Sequence, residues 1–554
     1  GEGIMKLSAE TRRENIDWLQ NNQLDLLVIG GGITGAGIAL HASAKKMAVG
    51  LIEMQDFAAG TSSRSTKLVH GGLRYLKNFE VELVANVARE RAIIHHNAPH
   101  IVQPRKMLLP VYDEQDASFT DFSAEIALQL YDQLGEVSDE WRYSLIPKEE
   151  VRKEAPGIKE EGLIKGGLYL DYLNDDARLT ISILKTAHQQ GAKIANYVKA
   201  VGYLYDEENR INGVEVADKE TGETFSIYAR VVVNATGPWS DETRHMQKNR
   251  QESRMLPTKG VHFVVDHSRL PVKRTIYTDT GLQDHRMLFI IPRNGKTYFG
   301  TTDTPYEGDL VDPKITKEDV TYLLEAINMR FPGANLTLAD IETGWSGLRP
   351  LIQPEDAKDP SDISREHEIF ISEEGLVTIG GGKLTDYRLM AEDTLKTIES
   401  LLDKKFLEVD TATIHLSGGE IKAGHTFNDY CEPAIKIGVA AGLSETDART
   451  LIDWYGTDFE KVLEGLDAVK ESRLPVKDAL SLQYAMRYEM TLNLEDYFLR
   501  RVETLLFDYN RMRGLLMPAL EQMAAHYQWD EKKQQKEKEK LISAMERAHL
   551  TDLR

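Results

Sequence analysis

The sequence predicts an α/β fold with a separate helical region at its carboxyl end, and three observations support that class. An apolar run, Leu24–Ile29, enters a glycine-rich turn of the kind that joins a buried parallel strand to a helix. Two later segments, 229–239 and 375–383, each combine a short apolar strand with a turn of small residues. From about residue 408 onward, apolar residues recur with a helical spacing of about 3.6.

Composition excludes several classes of protein. At 554 residues the chain has room for roughly two to four domains. Its net charge of −21 argues against a nucleic-acid binder, so an anionic substrate would need a local cluster of Arg and Lys. The single cysteine, Cys431, excludes an intrachain disulfide and fits a reducing compartment. We see neither a signal-peptide pattern nor a membrane-spanning run, and expect a cytoplasmic protein.

The first glycine-rich turn has the spacing G-x-G-x-x-G. Gly30 permits a tight turn, Gly32 lets the backbone approach a pyrophosphate, and Gly35 allows close packing of helix on strand. A helix is predicted at 36–46. The next strand ends in Glu53, close to the spacing of about 20 residues at which an acidic side chain binds ribose hydroxyls. The sequence therefore predicts a dinucleotide site.

The later segments favour FAD over NAD as the dinucleotide. The strand at 229–239 and the strand, glycine turn and helix at 375–402 resemble the discontinuous FAD-binding fold of the glutathione-reductase and D-amino-acid-oxidase type. A domain that binds only NAD would need neither distant segment. FAD is the expected cofactor.

Six motifs then identify a family. They span residues 60–75, 171–179, 258–262, 299–303, 344–350 and 381–385. In this order they resemble the FAD-dependent glycerol-3-phosphate dehydrogenases and the closely related alpha-glycerophosphate oxidases, over roughly residues 24–405. The resemblance implies oxidation of the C2 alcohol of sn-glycerol 3-phosphate to dihydroxyacetone phosphate, with hydride transfer to flavin N5.

The sequence predicts three domains. The FAD-binding domain is predicted at 20–100, 160–245 and 341–407, and a substrate-binding domain with an antiparallel sheet at 101–159 and 246–340. Residues 408–554 are predicted to form a helical cap. Its helices are expected at 447–454, 480–488, 494–506, 511–527 (kinked or split at Pro518) and 531–547.

A phosphorylated alcohol requires a cationic pocket and a group that accepts the hydroxyl proton. Arg74, Arg349, Arg365 and Lys383 are predicted to bind the phosphate, although Arg365 matches the family motif less securely. The alternative is that these residues form surface ion pairs. Thr302 and Asp303 close a predicted strand at 297–301 and are expected to bind the substrate, with Tyr75 nearby. Plain turn chemistry is the alternative for Thr302 and Asp303.

His262 is the candidate base, because an imidazole accepts protons near neutral pH. A satisfied core histidine is the alternative, and Arg349 could instead stabilise the alkoxide electrostatically.

The remaining predictions concern the cofactor. Ser62, Ser63 and Thr66 are expected to donate hydroxyls to FAD, with helix capping as the alternative. We expect no metal site. The residues assigned to FAD are Gly30, Gly32, Ile33, Thr34, Gly35, Glu53, Met54, Thr61, Ser62, Ser63, Thr66, Lys67, His70, Gly71, Gly72, Ala235, Thr236, Gly237, Gly381, Gly382, Lys383, Leu384 and Thr385.

The electron acceptor divides the family. Oxidase members usually carry an extra insertion, and no surplus stretch is visible here, which favours a quinone-linked dehydrogenase. Three alternatives stay open: an oxidase that reduces O2 to H2O2, an FAD-dependent amine or amino-acid oxidase, and a redox-silent FAD-binding interaction protein.

Quinone-linked members sit on membranes, here expected on the inner face of the cell membrane. The apolar stripe in 384–407 either lies in a membrane interface or faces the core. A homodimer is a further open alternative.

Overall fold

The computed structural model describes residues 5–78, 80–354 and 366–554, without the side chains of residues 77 and 78. It confirms the predicted α/β fold with a second, largely antiparallel sheet and a helical carboxyl-terminal region. Among the residues described, no helix is both long and apolar enough to cross a bilayer.

The first sheet has a parallel centre with the order β18-β10-β1-β2-β7. In its register Val28 lies between Val233 and Leu51, and all three side chains are buried because helices cover the sheet. Its strands, numbered in chain order, are β1 Leu24–Ile29, β2 Val49–Glu53, β7 Lys193–Asn196, β8 Val198–Tyr205, β9 Ile211–Asp218, β10 Thr224–Asn234, β17 Glu368–Ile371 and β18 Val377–Gly380.

Five helices accompany this sheet, and among them α2 packs against α6 and α9. These helices are α1 Ala9–Asn21, α2 Ile33–Ala44, α6 Asp176–Gln189, α7 Ser240–His245 and α9 Tyr387–Leu402.

The apolar stripe of α9 faces the core. Tyr387, Ala391, Leu395 and Ile398 are each at most 4% exposed. A Cβ added at Gly37 of α2 would lie 2.8 Å from the Tyr387 ring, so the two helices are in close contact. The interpretation of this stripe as a membrane interface is therefore wrong, because α2 already covers it.

The second sheet is antiparallel except where β12 meets β4. Strands β6 and β16 fall within ranges that the sequence assigned to the FAD-binding domain, yet backbone pairing with β4 and β11 places them in this sheet. The domain ranges themselves stay predictions. The strands are β3 Leu68–Val69, β4 Gln103–Tyr112, β5 Ser144–Pro147, β6 Leu163–Leu173, β11 Thr258–Asp266, β12 Ile276–Asp279, β13 Met287–Arg293, β14 Lys296–Gly300, β15 Thr304–Pro305 and β16 Ile341–Arg349.

The other helices flank this sheet or build the carboxyl-terminal region. Those in the first group are α3 Val81–Asn97, α4 Asp121–Leu134, α5 Lys148–Glu154 and α8 Lys317–Arg330. Those in the second are α10 Phe427–Ala440, α11 Glu445–Tyr455, α12 Phe459–Leu463, α13 Val476–Tyr488, α14 Leu494–Asp496, α15 Thr504–Phe507, α16 Tyr509–Tyr527 and α17 Glu531–Ala548.

Two helices depart from the sequence prediction. The helix expected at 494–506 is interrupted by a π-helical turn at Tyr497–Arg501, where consecutive arginines, Arg500 and Arg501, both donate to Asp56. Helix α16 is not split but runs through Pro518. The proline removes the donor for the carbonyl of Gly514, and Gly514 is exposed, so water can satisfy that carbonyl.

Candidate active site

A cavity of about 640 Å³ lies between the two sheets, within the range of small-ligand sites. It brings together residues from distant parts of the chain. The predicted site residues in its wall are Gly30, Gly32, Ile33, Thr34, Glu53, Met54, Thr61, Ser62, Thr66, His70, Tyr75, Ala235, Thr236, Gly237, His262, Arg349, Gly381, Gly382, Lys383, Leu384 and Thr385.

Other predicted residues lie outside this wall. They are Gly35, Ser63, Lys67, Gly71, Gly72, Arg74, Thr302 and Asp303. Arg365 lies outside the described residues, so its predicted role has no structural account here.

The turn between β1 and α2 forms one end of the cavity. Gly30 has φ +119°, and a Cβ there would lie 2.1 Å from the carbonyl oxygen of Ala235 at the end of β10. Only glycine fits this approach. Gly32 begins α2 without a side-chain cap, although Ser62 Oγ accepts the Ile33 N–H at 2.9 Å. The other N–H groups of the first turn suit an anionic ligand.

Glu53 holds the same turn from β2. Its Oε1 accepts the Gly31 N–H at 2.9 Å, and its Oε2 accepts the Gln55 N–H at 2.8 Å. Burial raises the pKa of this carboxyl. Glu53 therefore braces the glycine turn as well as lining the cavity, and contact with a ribose stays a prediction.

The segment after residue 59 is fastened to β16 and to α6. Thr61 Oγ1 donates to the Leu348 carbonyl at 2.7 Å, and Arg64 Nη1 donates to the Ser346 carbonyl at 3.3 Å. Lys67 is buried and lies 2.7 Å from Asp176 of α6. Its ammonium is therefore already paired, and Lys67 is not among the residues of the cavity wall.

His262 of β11 also lies in the cavity wall. Its ring stacks on Trp345 at 5.0 Å, and its Nε2 lies 2.9 Å from Thr66 Oγ1. Burial, with repulsion from Arg349 and Lys67, lowers the pKa of His262 to about 3, so the imidazole is neutral at physiological pH. Within the described chain, Nδ1 is buried and has no hydrogen-bond partner.

Arg349 ends β16 beside His262. Both of its terminal nitrogens lie 3.2 Å from the Thr302 carbonyl, and Nη1 lies 3.2 Å from Asp303 Oδ1. The Thr302 hydroxyl is committed to the sheet, donating to the Lys259 carbonyl and accepting the Val261 N–H. Thr302 and Asp303 thus position Arg349, and their contact with substrate stays a prediction.

Lys383 follows the late glycine turn and meets the loop that carries Arg74 and Tyr75. Its Nζ lies 3.7 Å from the centre of the Tyr75 ring. Lys383 forms no ion pair within 4.0 Å among the described residues, although its charge favours the ionised form of the buried Asp386 carboxyl. Arg74 donates to the carbonyl of His285 rather than to a carboxylate. Neither cation is therefore held in a close ion pair in the described chain.

Sequence reasoning missed part of the wall. Gln55, Val198, Lys199, Ala200, Trp239, Glu242 and Met246 also line the cavity. Trp239 could have been found, because it follows the Ala235–Gly237 turn at the end of β10. Val198 carries no motif and lies beside the cavity because β7, which ends two residues earlier at Asn196, pairs with β2 at Glu53.

These observations fit an elongated dinucleotide. The uncapped start of α2 and the glycine turns suit a diphosphate, and the cavity extends from there to His262 and Arg349.

Comparisons with known proteins agree with this geometry. A family model described as FAD dependent oxidoreductase matches residues 25–386, and one described as the C-terminal domain of alpha-glycerophosphate oxidase matches residues 409–534. The alpha-glycerophosphate oxidase of Streptococcus pyogenes serotype M6 is 46% identical over 600 aligned positions, covering 98% of each chain. The aerobic glycerol-3-phosphate dehydrogenase of Bacillus subtilis is 44% identical over 525 positions, covering 93% of this chain and 94% of that protein.

A solved structure is similar over nearly the whole chain. The glycerol-3-phosphate dehydrogenase from Bacillus halodurans complexed with FAD has a TM-score of 0.84 and 38% identity, with 98% of each chain covered.

Proposed function

The chain belongs to the family of FAD-dependent glycerol-3-phosphate dehydrogenases and alpha-glycerophosphate oxidases, with FAD as its cofactor, and we propose that it oxidises sn-glycerol 3-phosphate to dihydroxyacetone phosphate. One observation carries this proposal. A neutral, buried His262 and the cations Arg349 and Lys383 line the same cavity as the glycine turn at the start of α2.

FAD would be held by the turn at Gly30–Gly35, by Glu53, and by the segments around Ser62, Thr236 and Gly382. Backbone N–H groups at the start of α2 would bind its diphosphate. Bound FAD supplies the hydride acceptor, N5 of the flavin. The protein supplies orientation of the alcohol, charge neutralisation and a proton acceptor.

Lys383, Arg349 and Arg74 would bind the substrate phosphate. Lys383 has no carboxylate partner in the described chain, and the carboxylate beside Arg349, Asp303, is more than half exposed. An incoming phosphate therefore does not have to displace a buried ion pair. Arginine and lysine donors form strong charge-assisted bonds with phosphate oxygens.

His262 would accept the proton of the C2 hydroxyl. In either neutral tautomer of the imidazole, one ring nitrogen carries no hydrogen and can accept a proton. The Thr66 Oγ1 atom forms a hydrogen bond with Nε2. Its low pKa makes His262 a weak base in isolation, so Arg349 would assist by stabilising the developing alkoxide. Both roles considered at the sequence level are thus retained as complementary.

For the electron acceptor we propose dioxygen, in place of the quinone favoured by sequence analysis. The oxidase of Streptococcus pyogenes and that of Enterococcus casseliflavus, 43% identical over 589 positions, support this choice.

A quinone is the second candidate. The alignment with the streptococcal oxidase spans 600 positions, more than the 554 residues of this chain, so parts of that oxidase have no counterpart here. The Bacillus subtilis dehydrogenase aligns over 525 positions without such an excess.

Two optical experiments test the proposal. Anaerobic sn-glycerol 3-phosphate should bleach the oxidised flavin, whereas glycine and sarcosine should not. Bleaching by the amines alone would identify an amine oxidase, and no response to any of the three would support a redox-silent protein.

The reduced enzyme should then be mixed with air-saturated buffer or with a water-soluble quinone. Faster reoxidation by air with stoichiometric H2O2 supports the oxidase, and faster reoxidation by quinone supports the dehydrogenase.

A further inference from the structure

The loop that carries Arg74 and Tyr75 is hydrogen-bonded to α4, a helix that lies outside the six sequence motifs. It leaves β3 and passes through Gly71 and Gly72, both outside the cavity wall. The Gly71 N–H donates to the phenol oxygen of Tyr131, on α4, at 2.6 Å.

Tyr131 belongs to a buried, hydrogen-bonded set. Its O–H donates to Asp171 Oδ2 at 2.8 Å, and Asp171 Oδ1 accepts from Arg91 Nη1 at 2.6 Å and from the Gly71 N–H at 3.2 Å. Tyr131, Arg91 and Asp171 are 0%, 1% and 2% exposed. Hydrogen bonds in such a dry environment fix geometry strongly, because leaving any member unpaired is costly.

Steric contact adds to the hydrogen bonds. A Cβ on Gly71 would lie 2.5 Å from Tyr131 Oη, so the loop backbone rests directly on the phenol. The next residue, Gly72, has φ +76°, and a Cβ there would lie 2.6 Å from the Tyr75 ring and 3.5 Å from Lys383 Nζ. Contacts therefore run from Tyr131 through the two glycines to Tyr75 and Lys383.

We propose that Tyr131 is a positioning residue. By its contact with Gly71 it fixes the position of the Gly71–Tyr75 loop, and thereby the placement of the cations that bind the substrate phosphate. This inference rests on the proposed function. Tyr131 touches neither reacting atoms nor the cavity, so its hydroxyl acts through the loop. If a cation binds the phosphate equally well in the ground state and in the transition state, disturbing that cation changes KM more than kcat.

The test uses the FAD-loaded enzyme and two conservative variants. Tyr131→Phe keeps the ring, on which the Arg91 guanidinium lies at 4.6 Å, and removes the bond to Gly71. We expect KM for sn-glycerol 3-phosphate to rise roughly tenfold, with kcat and FAD content changed less than about twofold. Tyr169→Phe is the control, because Tyr169 is equally buried, lies edge-on to Tyr131 at 5.9 Å, and makes no hydrogen bond to the loop.

Calorimetric titration with inorganic phosphate separates this proposal from the proposed function. A wild-type enzyme inert toward sn-glycerol 3-phosphate would reject that function, while the phosphate Kd would still be expected to rise about tenfold in Tyr131→Phe. An unchanged Kd, an equal change in Tyr169→Phe, or joint loss of kcat and FAD would overturn the positioning role.

Gly71→Ala keeps the proposal falsifiable if Tyr131→Phe does not fold. The new methyl group would press on Tyr131 Oη, so KM and the phosphate Kd should rise in Gly71→Ala as well. Unchanged values there would overturn the proposal.

Discussion

Charged side chains serve opposite purposes at two places in this molecule. At the junction of the carboxyl-terminal helices with the first sheet, defined by Asp56, Asp496, Arg500 and Arg501, every charge is buried and paired. At the cavity, the cations are Arg349 and Lys383 in its wall and Arg74 outside the wall, and they contact carbonyls, an aromatic ring and one exposed carboxylate.

The two carboxyls of the junction differ, because burial and repulsion from Asp56 raise the pKa of Asp496 to about 7, whereas Asp56 is held ionised. Burial opposes ionisation of the Asp56 carboxyl, but Arg501 and Arg500 outweigh burial and lower its pKa to about 2. Asp56 follows the cavity-lining segment Glu53–Gln55, so the junction also braces the nucleotide end of the site. Close ion pairs among buried groups thus stabilise the structure at the junction, whereas cations that form no close ion pair with a buried carboxylate indicate a candidate ligand site.

The largest expected effect comes from breaking the junction. Arg501→Met should lower the free energy of unfolding by about 3–5 kcal/mol, because Asp56 would remain buried with one arginine fewer. Urea unfolding followed by circular dichroism measures this. The matched control is Arg473→Met, which breaks an exposed pair with Glu521 and should change stability little. Equal losses in the two variants would remove the distinction between the regions.

The next largest effect concerns proton transfer at His262 in the cavity wall. His262→Gln should lower kcat by roughly 100-fold, the scale of general base catalysis. Because the pKa of His262 is about 3, protonation of this residue should cause no inflection in kcat/KM between pH 5 and 8. An inflection near pH 6.5 that disappears in His262→Gln would contradict the assigned neutral state.

Lys383 tests whether its cation serves the substrate or the cofactor. Lys383→Met should raise KM for the phosphorylated substrate roughly 10–100-fold, because one charge-assisted contact to phosphate is lost. The FAD content, measured from the flavin absorbance, should be the same as in the wild-type enzyme. Lys396→Met, on the exposed side of α9, is the control and should leave KM unchanged. Loss of FAD with an unchanged KM would assign Lys383 to the cofactor alone.

The smallest effect is expected at Asp303. Asp303→Asn should lower KM by a few-fold, since the exposed pair with Arg349 is weak and its removal frees the guanidinium for phosphate. Steady-state kinetics at low ionic strength would detect it. A higher KM would instead support the sequence-based prediction that Asp303 binds substrate directly.

Local features of the site were predictable because contiguous residues encode them. The turn from Gly30 to Gly35 requires particular backbone angles and the absence of Cβ atoms, so its glycines indicate it directly. Its neighbour Glu53 follows from the strand that ends there. The clustering of Arg349 and Lys383 came from the family resemblance, since no spacing rule places such distant residues together.

Other features depended on partners remote in sequence. Lys67 had the chemistry of a phosphate ligand, but Asp176 of α6 pairs with it. The apolar stripe of α9 was compatible with a membrane interface and with the protein core, and only its contact with α2 shows that it faces the core. Tyr131 had no motif at all, because its role depends on the approach of Gly71 from another element.

By itself, then, the amino-acid order determined the fold class, the dinucleotide turn and the family, since these follow from backbone preferences and from motifs read along the chain. Tertiary structure alone decided which cations are neutralised and which remain available at the cavity. The reason is physical: the state of a buried charge depends on every group packed around it, and those groups come from segments that folding brings together.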